Sequence, residues 1–256
     1  MWGQALTLNA GRGTGAVVDS GALLGAAREQ KAQAAAKALS PRDAAKSLSE
    51  LSAGLEAPQP SAPSDQRCAF WLNVYNALVI HAVLTFELRE TVKELPRLFA
   101  RVRYRLGAET FTLDDIEHGV LRGNRGHPAK PLLPQLWLWD RRRRHVLEEL
   151  DPRRHFALNC GARSCPPIRC YEALELDAQL DMATRSFVQQ DVDLDHDRRT
   201  VRLSRLFSWY RRDFGSNWQR RLAWIAPYLA EPDDRRALAD GGAWSLDFRA
   251  FDLRLI

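Results

Sequence analysis

Long apolar runs are missing from this 256-residue chain: no stretch of about eighteen apolar residues is present that could span a bilayer. Cysteine is sparse, four residues in all, which is too few for a disulfide scaffold at this length. The start, Met1-Trp2-Gly3-Gln4, has no basic segment followed by an apolar one, so a secretory leader is not expected and cytoplasm is the default expectation. A trimmed secreted form has the same appearance. There is no phosphate-cradling glycine loop, dinucleotide fingerprint or evident metal-ligand cluster, so no cofactor and no metal is expected. Internal repeats and βαβ alternation are also lacking.

What is present is globular composition. Hydrophobic residues make up 45% and charged residues 27%, of mixed sign, unlike the signature of disorder. A chain this long buries one substantial core, or at most a core plus a small appendage. The net charge of +5 invites a nucleic-acid partner, since phosphate neutralisation needs clustered cations. The cations, however, are mostly scattered arginines. The one dense run, Arg141 to Arg144, sits between Asp140 and Glu148-Glu149 and reads as a solvated helix face rather than a nucleic-acid patch.

Residues 1–15 are glycine-rich and unpatterned, and a frayed start before a single domain over 16–256 is expected. Residues 18–52 have helical spacing broken near Ser40-Pro41. Three prolines between Pro58 and Pro63 require a loop leading to Ser64, a candidate N-cap with Asp65 in the first turn. The helix that follows, about 65–86, is apolar nearly all round and therefore central and buried. Asn73 and Asn76 lie about 60° apart on it, so these amides either brace backbone or line a polar pocket.

Residues 102–106 and 110–113 read as a hairpin turning at Gly107. Thr112 and Asp115 resemble a capping box opening a helix that carries Glu117, His118 and Arg122. His155 to Asn159 reads as a short strand. Residues 171–190 form an amphipathic helix, 191–203 a second hairpin, 207–214 and 218–230 further helix, and 244–256 a closing strand. These elements imply an α+β fold: antiparallel sheet built from hairpins, with helices packed against it around a central buried helix.

Several phrases together resemble one family. They are Gly15-Ala16-Val17-Val18-Asp19, Ala69-Phe70-Trp71-Leu72-Asn73-Val74-Tyr75-Asn76-Ala77, Asp115-Ile116-Glu117-His118 with Arg122, and Asp151-Pro152-Arg153. His155-Phe156-Ala157-Leu158-Asn159-Cys160-Gly161, Ser164-Cys165-Pro166-Pro167 and Trp244-Ser245-Leu246 complete the set. The resemblance is to domain of unknown function 547, found in bacterial and plant proteins and sometimes fused to glutaredoxin-like domains. It covers about residues 16–255. Asp247 departs from it, standing where the family pattern leads one to expect Asn, and Cys68 and Cys170 fall outside its motifs.

The chemistry concentrates in Asn159-Cys160-Gly161-Ala162-Arg163-Ser164-Cys165-Pro166. A thiolate in such a loop is stabilised by backbone N–H groups and nearby cations, with Arg163 and Arg153 the candidates. Cys165, held by the proline pair, is favoured over Cys160 as a nucleophile. His118 or His155 is the candidate base, with Asn73, Asn76 or Glu117 to orient it. Tyr75, Arg122, Arg153, Asn159 and Ser164 are the candidate contacts to a small-molecule or peptide substrate. Three functions follow: a thiol-dependent hydrolase or acyl transferase, a non-catalytic scaffold binding a partner protein, or a cysteine-pair redox loop. The six-residue loop makes a disulfide demanding and easily reduced.

Overall fold

A computed structural model describes residues 4–11 and 18–255; residues 15–17 of the first family phrase lie outside the described residues. Its contacts group into two compact units: Met1–Leu150 with Leu158–Leu176 and Leu253–Ile256, and Asp151–Ala157 with Asp177–Asp252. A single domain was the expectation.

The first unit is organised by one helix. α1 (Ser20–Ala35) and α2 (Pro41–Ser52) break where Ser40-Pro41 predicts, because Ser40 caps α2 by accepting from the Asp43 N–H. Both pack on α3 (Ser64–Thr85), which buries residues on every side, as its apolar composition demands. Among the described residues α3 is the helix long and apolar enough to cross a membrane, and 83% of that window is buried inside the protein. Ser64 is the first helical residue rather than the cap. Pro63 occupies the cap position, where no side chain accepts from the first turn.

A short helix α4 (Leu98–Arg101) leads to β2 (Val102–Leu106), which pairs antiparallel with β3 (Glu109–Thr112) through the Gly107 turn. β1 (Leu6–Thr7) joins β2 in parallel, so part of the stretch read as frayed has a strand partner. Thr112 and Asp115 form the reciprocal capping bonds expected of them, at 3.1 and 3.0 Å. The turn they open, Asp115–Leu121, is wound as a wide π-type helix in which the Arg122 N–H reaches the Glu117 carbonyl, five residues back.

The second unit has its own apolar core, with Phe156, Phe187, Val201, Phe207, Phe214 and Ile225 at its centre. α5 (Leu176–Asp191) contributes Ala183, Phe187 and Val188 to it. β4 (Asp193–Asp195) and β5 (Thr200–Ser204) form the second hairpin, and β6 (Ser245–Arg249) adds in parallel to β5. α6 (Arg205–Trp209), α7 (Arg211–Phe214), α8 (Trp218–Ile225) and α9 (Pro232–Ala239) complete the unit. The fold is α+β, with an antiparallel hairpin and a parallel third strand in each small sheet.

The strand expected at His155–Asn159 is instead a tight 3₁₀ turn, Pro152–Phe156. Asp151 caps it through the Arg153 N–H, and Pro152 supplies a pre-set φ at its first position, a local start signal that outweighs the short apolar run.

Candidate functional site

Buried polar groups must be paired, and α3 meets this demand by holding another segment. Asn76 Oδ1 accepts from the Asn159 N–H at 2.9 Å. Asn73 bonds Tyr171 twice: its Nδ2 donates to the carbonyl and its Oδ1 accepts from the N–H, both at 2.9 Å. The two amides sit less than one helical turn apart and grip the two ends of the segment that carries Cys160 and Cys165. They brace backbone, the first of the two roles open to them.

Between those grips the loop is fixed again. The Asn159 side chain accepts from the Gly161 N–H and donates to the Pro166 carbonyl, both at 2.6 Å. Gly161 takes φ +89°, and a Cβ there would sit 3.0 Å from Val92 Cγ1. Ala162 bridges to Leu255, and the Arg163 N–H donates to the Arg254 carbonyl at 2.8 Å. The loop is therefore a rigid turn held from three directions.

Within it the two sulfurs are 2.7 Å apart, with the Cys160 N–H donating to Cys165 Sγ at 3.2 Å. Both residues are half-buried free thiols. The Cys165 thiol hydrogen-bonded to Cys160 draws the Cys160 thiol below its ordinary range, against the cost of burial; the N–H groups of Ala162 and Cys160 help. The same bond, then burial and the Cys160 charge, push Cys165 well above its ordinary range. Where the proline pair favoured Cys165, the downward direction falls on the Cys160 thiol. Its stabilisation comes from the thiol partner and backbone N–H groups. Arg163 instead reaches the Leu255 carbonyl at 3.3 Å.

A buried polar chain lies in the same unit. Tyr75 donates to Glu117 Oε2 at 3.0 Å, and Glu117 Oε1 is 3.6 Å from His118 Nδ1. Arg122 Nη1 donates to that Nδ1 at 3.0 Å and to the Gly126 carbonyl at 2.7 Å. Glu117, His118 and Arg122 are all buried. The Glu117 charge is near enough to Cys160 to oppose its ionisation. Tyr75, Arg122 and Asn159 are at most 5% exposed, leaving Ser164 as the half-exposed substrate-contact candidate of this unit.

Sequence reasoning missed Asp114 and His127. With His118 they bring one possible ligand atom each to within 4.8 Å of one another. Asp114 and His118 are four residues apart, a spacing that brings helical side chains together, but nothing in the sequence places His127 beside them. The donor chemistry suits protons better than a metal. His118 Nδ1 accepts from the Arg122 guanidinium, and His127 Nδ1 accepts from the Ala129 N–H at 3.0 Å. Each neutral ring then carries its hydrogen on Nε2, leaving no lone pair there. Burial, then the Glu117 and Asp115 charges, raise the Asp114 carboxyl to about 7, with Arg97 opposing.

His155 and Arg153 belong to the second unit. His155 Nε2 donates to Asp213 Oδ2 at 2.8 Å, with both side chains buried. Arg153 is engaged by Asp151 at 2.9 Å and Asp177 at 2.7 Å, which hold its guanidinium firmly charged. Asp247, the departure from the family pattern, forms an exposed ion pair with Arg202 at 3.0 Å.

The family described as Protein of unknown function, DUF547, matches residues 60–188. The chain belongs to this family. The match holds α3, the π-type turn and the cysteine loop, so the DUF547 region contains both amide grips and the whole Tyr75–Arg122 chain. No curated protein and no solved structure matches the chain.

Proposed function

We propose that the Cys160–Cys165 loop is a dithiol site that exchanges with disulfides. The observation that carries this reading is the 2.7 Å separation of the sulfurs. Closing that gap by about 0.7 Å reaches the S–S bond length of roughly 2.05 Å. The Cys160 thiolate attacks one sulfur of a partner disulfide, whose other sulfur leaves as a thiolate and takes up a proton. Cys165, losing its proton, then attacks the Cys160 sulfur of the mixed disulfide. The internal disulfide forms and the second partner thiol is released. Two protein thiols are oxidised and one partner disulfide is reduced. The rigid loop supports this reading, because strain in so small a ring keeps the disulfide reducible.

A second reading, a thiol-dependent hydrolase or acyl transferase, draws on the Tyr75–Glu117–His118–Arg122 chain, whose Glu117 charge reaches Cys160. In it Cys160 is acylated and His118 or Glu117 moves the proton. A scaffold role is the third.

The test is equilibration of the protein in thiol–disulfide buffers, followed by mass tagging of each cysteine. Dithiol exchange predicts a reversible Cys160–Cys165 disulfide between about −200 and −300 mV, and reduction of a small disulfide that is lost in Cys160→Ser. Cys165→Ala is expected to stall at a mixed disulfide on Cys160, whereas an acyl transferase keeps its activity in that variant. Thiols that stay taggable in oxidising buffer and unreactive toward acyl donors would overturn both chemical readings in favour of the scaffold.

A further inference from the structure

Apolar side chains normally bury themselves, so a group of them standing in water on an ordered backbone marks a surface meant for something else. Leu132, Leu138 and Trp139 are 85%, 79% and 79% exposed, and Leu133 and Trp137 are about half exposed. Trp137 and Trp139 stack on each other at 5.7 Å, with their planes 10° apart. The backbone beneath them is pinned. Leu136 donates to Asn124 Oδ1 at 2.7 Å and accepts from Asn124 Nδ2 at 2.8 Å, while its own side chain is buried. Gln135 donates to Asp115 at 3.1 Å. At Gly126, φ +75°, a Cβ would fall 1.9 Å from the Leu133 carbonyl, so the turn closes tightly on itself. The leucines and tryptophans are thus held outward by a fixed turn.

The charge beside them is predominantly positive, with the exposed Glu148 and Glu149 following only beyond the arginine run. Residues 130–144 contain five cations and a single carboxylate, Asp140. Arg142 engages that carboxylate at 2.7 Å and reaches back to Asp115 at 2.6 Å. Glu109 is held by Arg144 and His145. Lys130, Arg141 and Arg143 remain exposed.

We propose that segment 131–144 docks on an anionic lipid surface, its leucines and tryptophans entering the headgroup–acyl boundary and its arginines meeting lipid phosphates. Three features favour lipid over protein. Side chains this exposed protrude, and a protruding turn needs a matching groove on a protein but none on a bilayer. Tryptophan is suited to the membrane interface, where its ring is apolar and its N–H stays wet. The flanking cations complement acidic headgroups, each contributing about 1 kcal/mol, or roughly fivefold, near such a surface.

The experiment is co-sedimentation of the whole protein with phosphatidylcholine vesicles, with and without 30% phosphatidylglycerol (on the order of cellular anionic content), read alongside analytical ultracentrifugation. Binding is expected only with phosphatidylglycerol, and it should weaken in high salt. Trp137→Ser with Trp139→Ser should lower partitioning at least about tenfold, and Arg141→Glu with Arg143→Glu at least about 25-fold, with the melting temperature unchanged in both. Absence of the wild-type protein from the vesicle pellet would overturn the proposal, as would equal binding by the tryptophan variant. A wild-type dimer that Trp139→Ser dissociates would overturn it in favour of a second copy.

Discussion

Asn76 on α3 accepts a hydrogen bond from the backbone N–H of Asn159 at 2.9 Å, across 83 residues of sequence. One residue beyond Asn159 lies Cys160, so the amide sets the position from which the thiol loop departs. Asn73 sets the position to which it returns, at Tyr171.

Asn76→Ala leaves the Asn159 N–H buried without an acceptor and opens a small void. A loss of about 2–4 kcal/mol in urea unfolding is expected. Asn73→Ala should cost at least as much, since both bonds to Tyr171 go, together with a longer one to Ser20 Oγ at 3.5 Å. Because either change frees the same loop, the double variant should lose less than the sum. Strict additivity, or unchanged alkylation rates of Cys160 and Cys165 in both variants, would show that the amides do not act on the loop together.

Half of this arrangement was legible in the sequence. An apolar helix interrupted by two amides on one side implies a buried helix with something polar to hold. What it holds was not legible, because Asn159 and Tyr171 lie 83 and 98 residues away and hydrophobic periodicity carries no information about such pairings. The short run at His155–Asn159 misled for a related reason. Its apolar residues fill a core, and a core is filled equally well by a 3₁₀ turn when Asp151-Pro152 starts one. The Leu/Trp segment drew no functional reading, since sequence alone does not say which apolar side chains stay in solvent.

Gly161→Ala tests the rigidity of the loop itself. At φ +89° a side chain is strained, and the new methyl would press on Val92 at 3.0 Å and Leu255 at 3.4 Å. A loss of about 1–3 kcal/mol is expected, lowering the melting temperature by roughly 2–10 °C. Gly107 also has positive φ, but its Cβ would meet nothing within 4 Å. Gly107→Asn should therefore be close to neutral. Equal losses at the two positions would mean that backbone conformation alone matters and that packing around the thiol loop is loose.

Asp114 should leave a pH signature. Its carboxyl is raised from 3.8 to about 7, by burial first and then by Glu117 and Asp115, with Arg97 opposing and His118 Nε2 at 3.9 Å. A group raised in the folded state favours folding at low pH, and that contribution is lost as pH rises from about 4 to 7. Asp114→Asn cannot ionise, so it should match the wild type near pH 4 and exceed it at pH 8 by a few kcal/mol, each tenfold change in proton affinity being worth about 1.4 kcal/mol. Parallel stability curves for the two proteins across this range would contradict an uncharged Asp114.

In the second unit, His155 and Asp213 form a buried pair whose value depends on geometry. The His155 ring lies 4.1 Å from Tyr210 and 5.5 Å from Phe214, and its Nε2 donates to Asp213 at 2.8 Å. Removing the acceptor strands a buried N–H inside an aromatic cage, so Asp213→Ala should cost about 3 kcal/mol or more. Asp213→Asn keeps a carbonyl oxygen that accepts from the same N–H and should recover about half of that loss. Because this unit has its own apolar core around Phe156 and Phe207, the loss should register in hydrogen exchange at β5 and α8. Equal destabilisation by Ala and Asn would mean that the hydrogen bond contributes nothing and that the carboxylate serves only to fill space beside the ring.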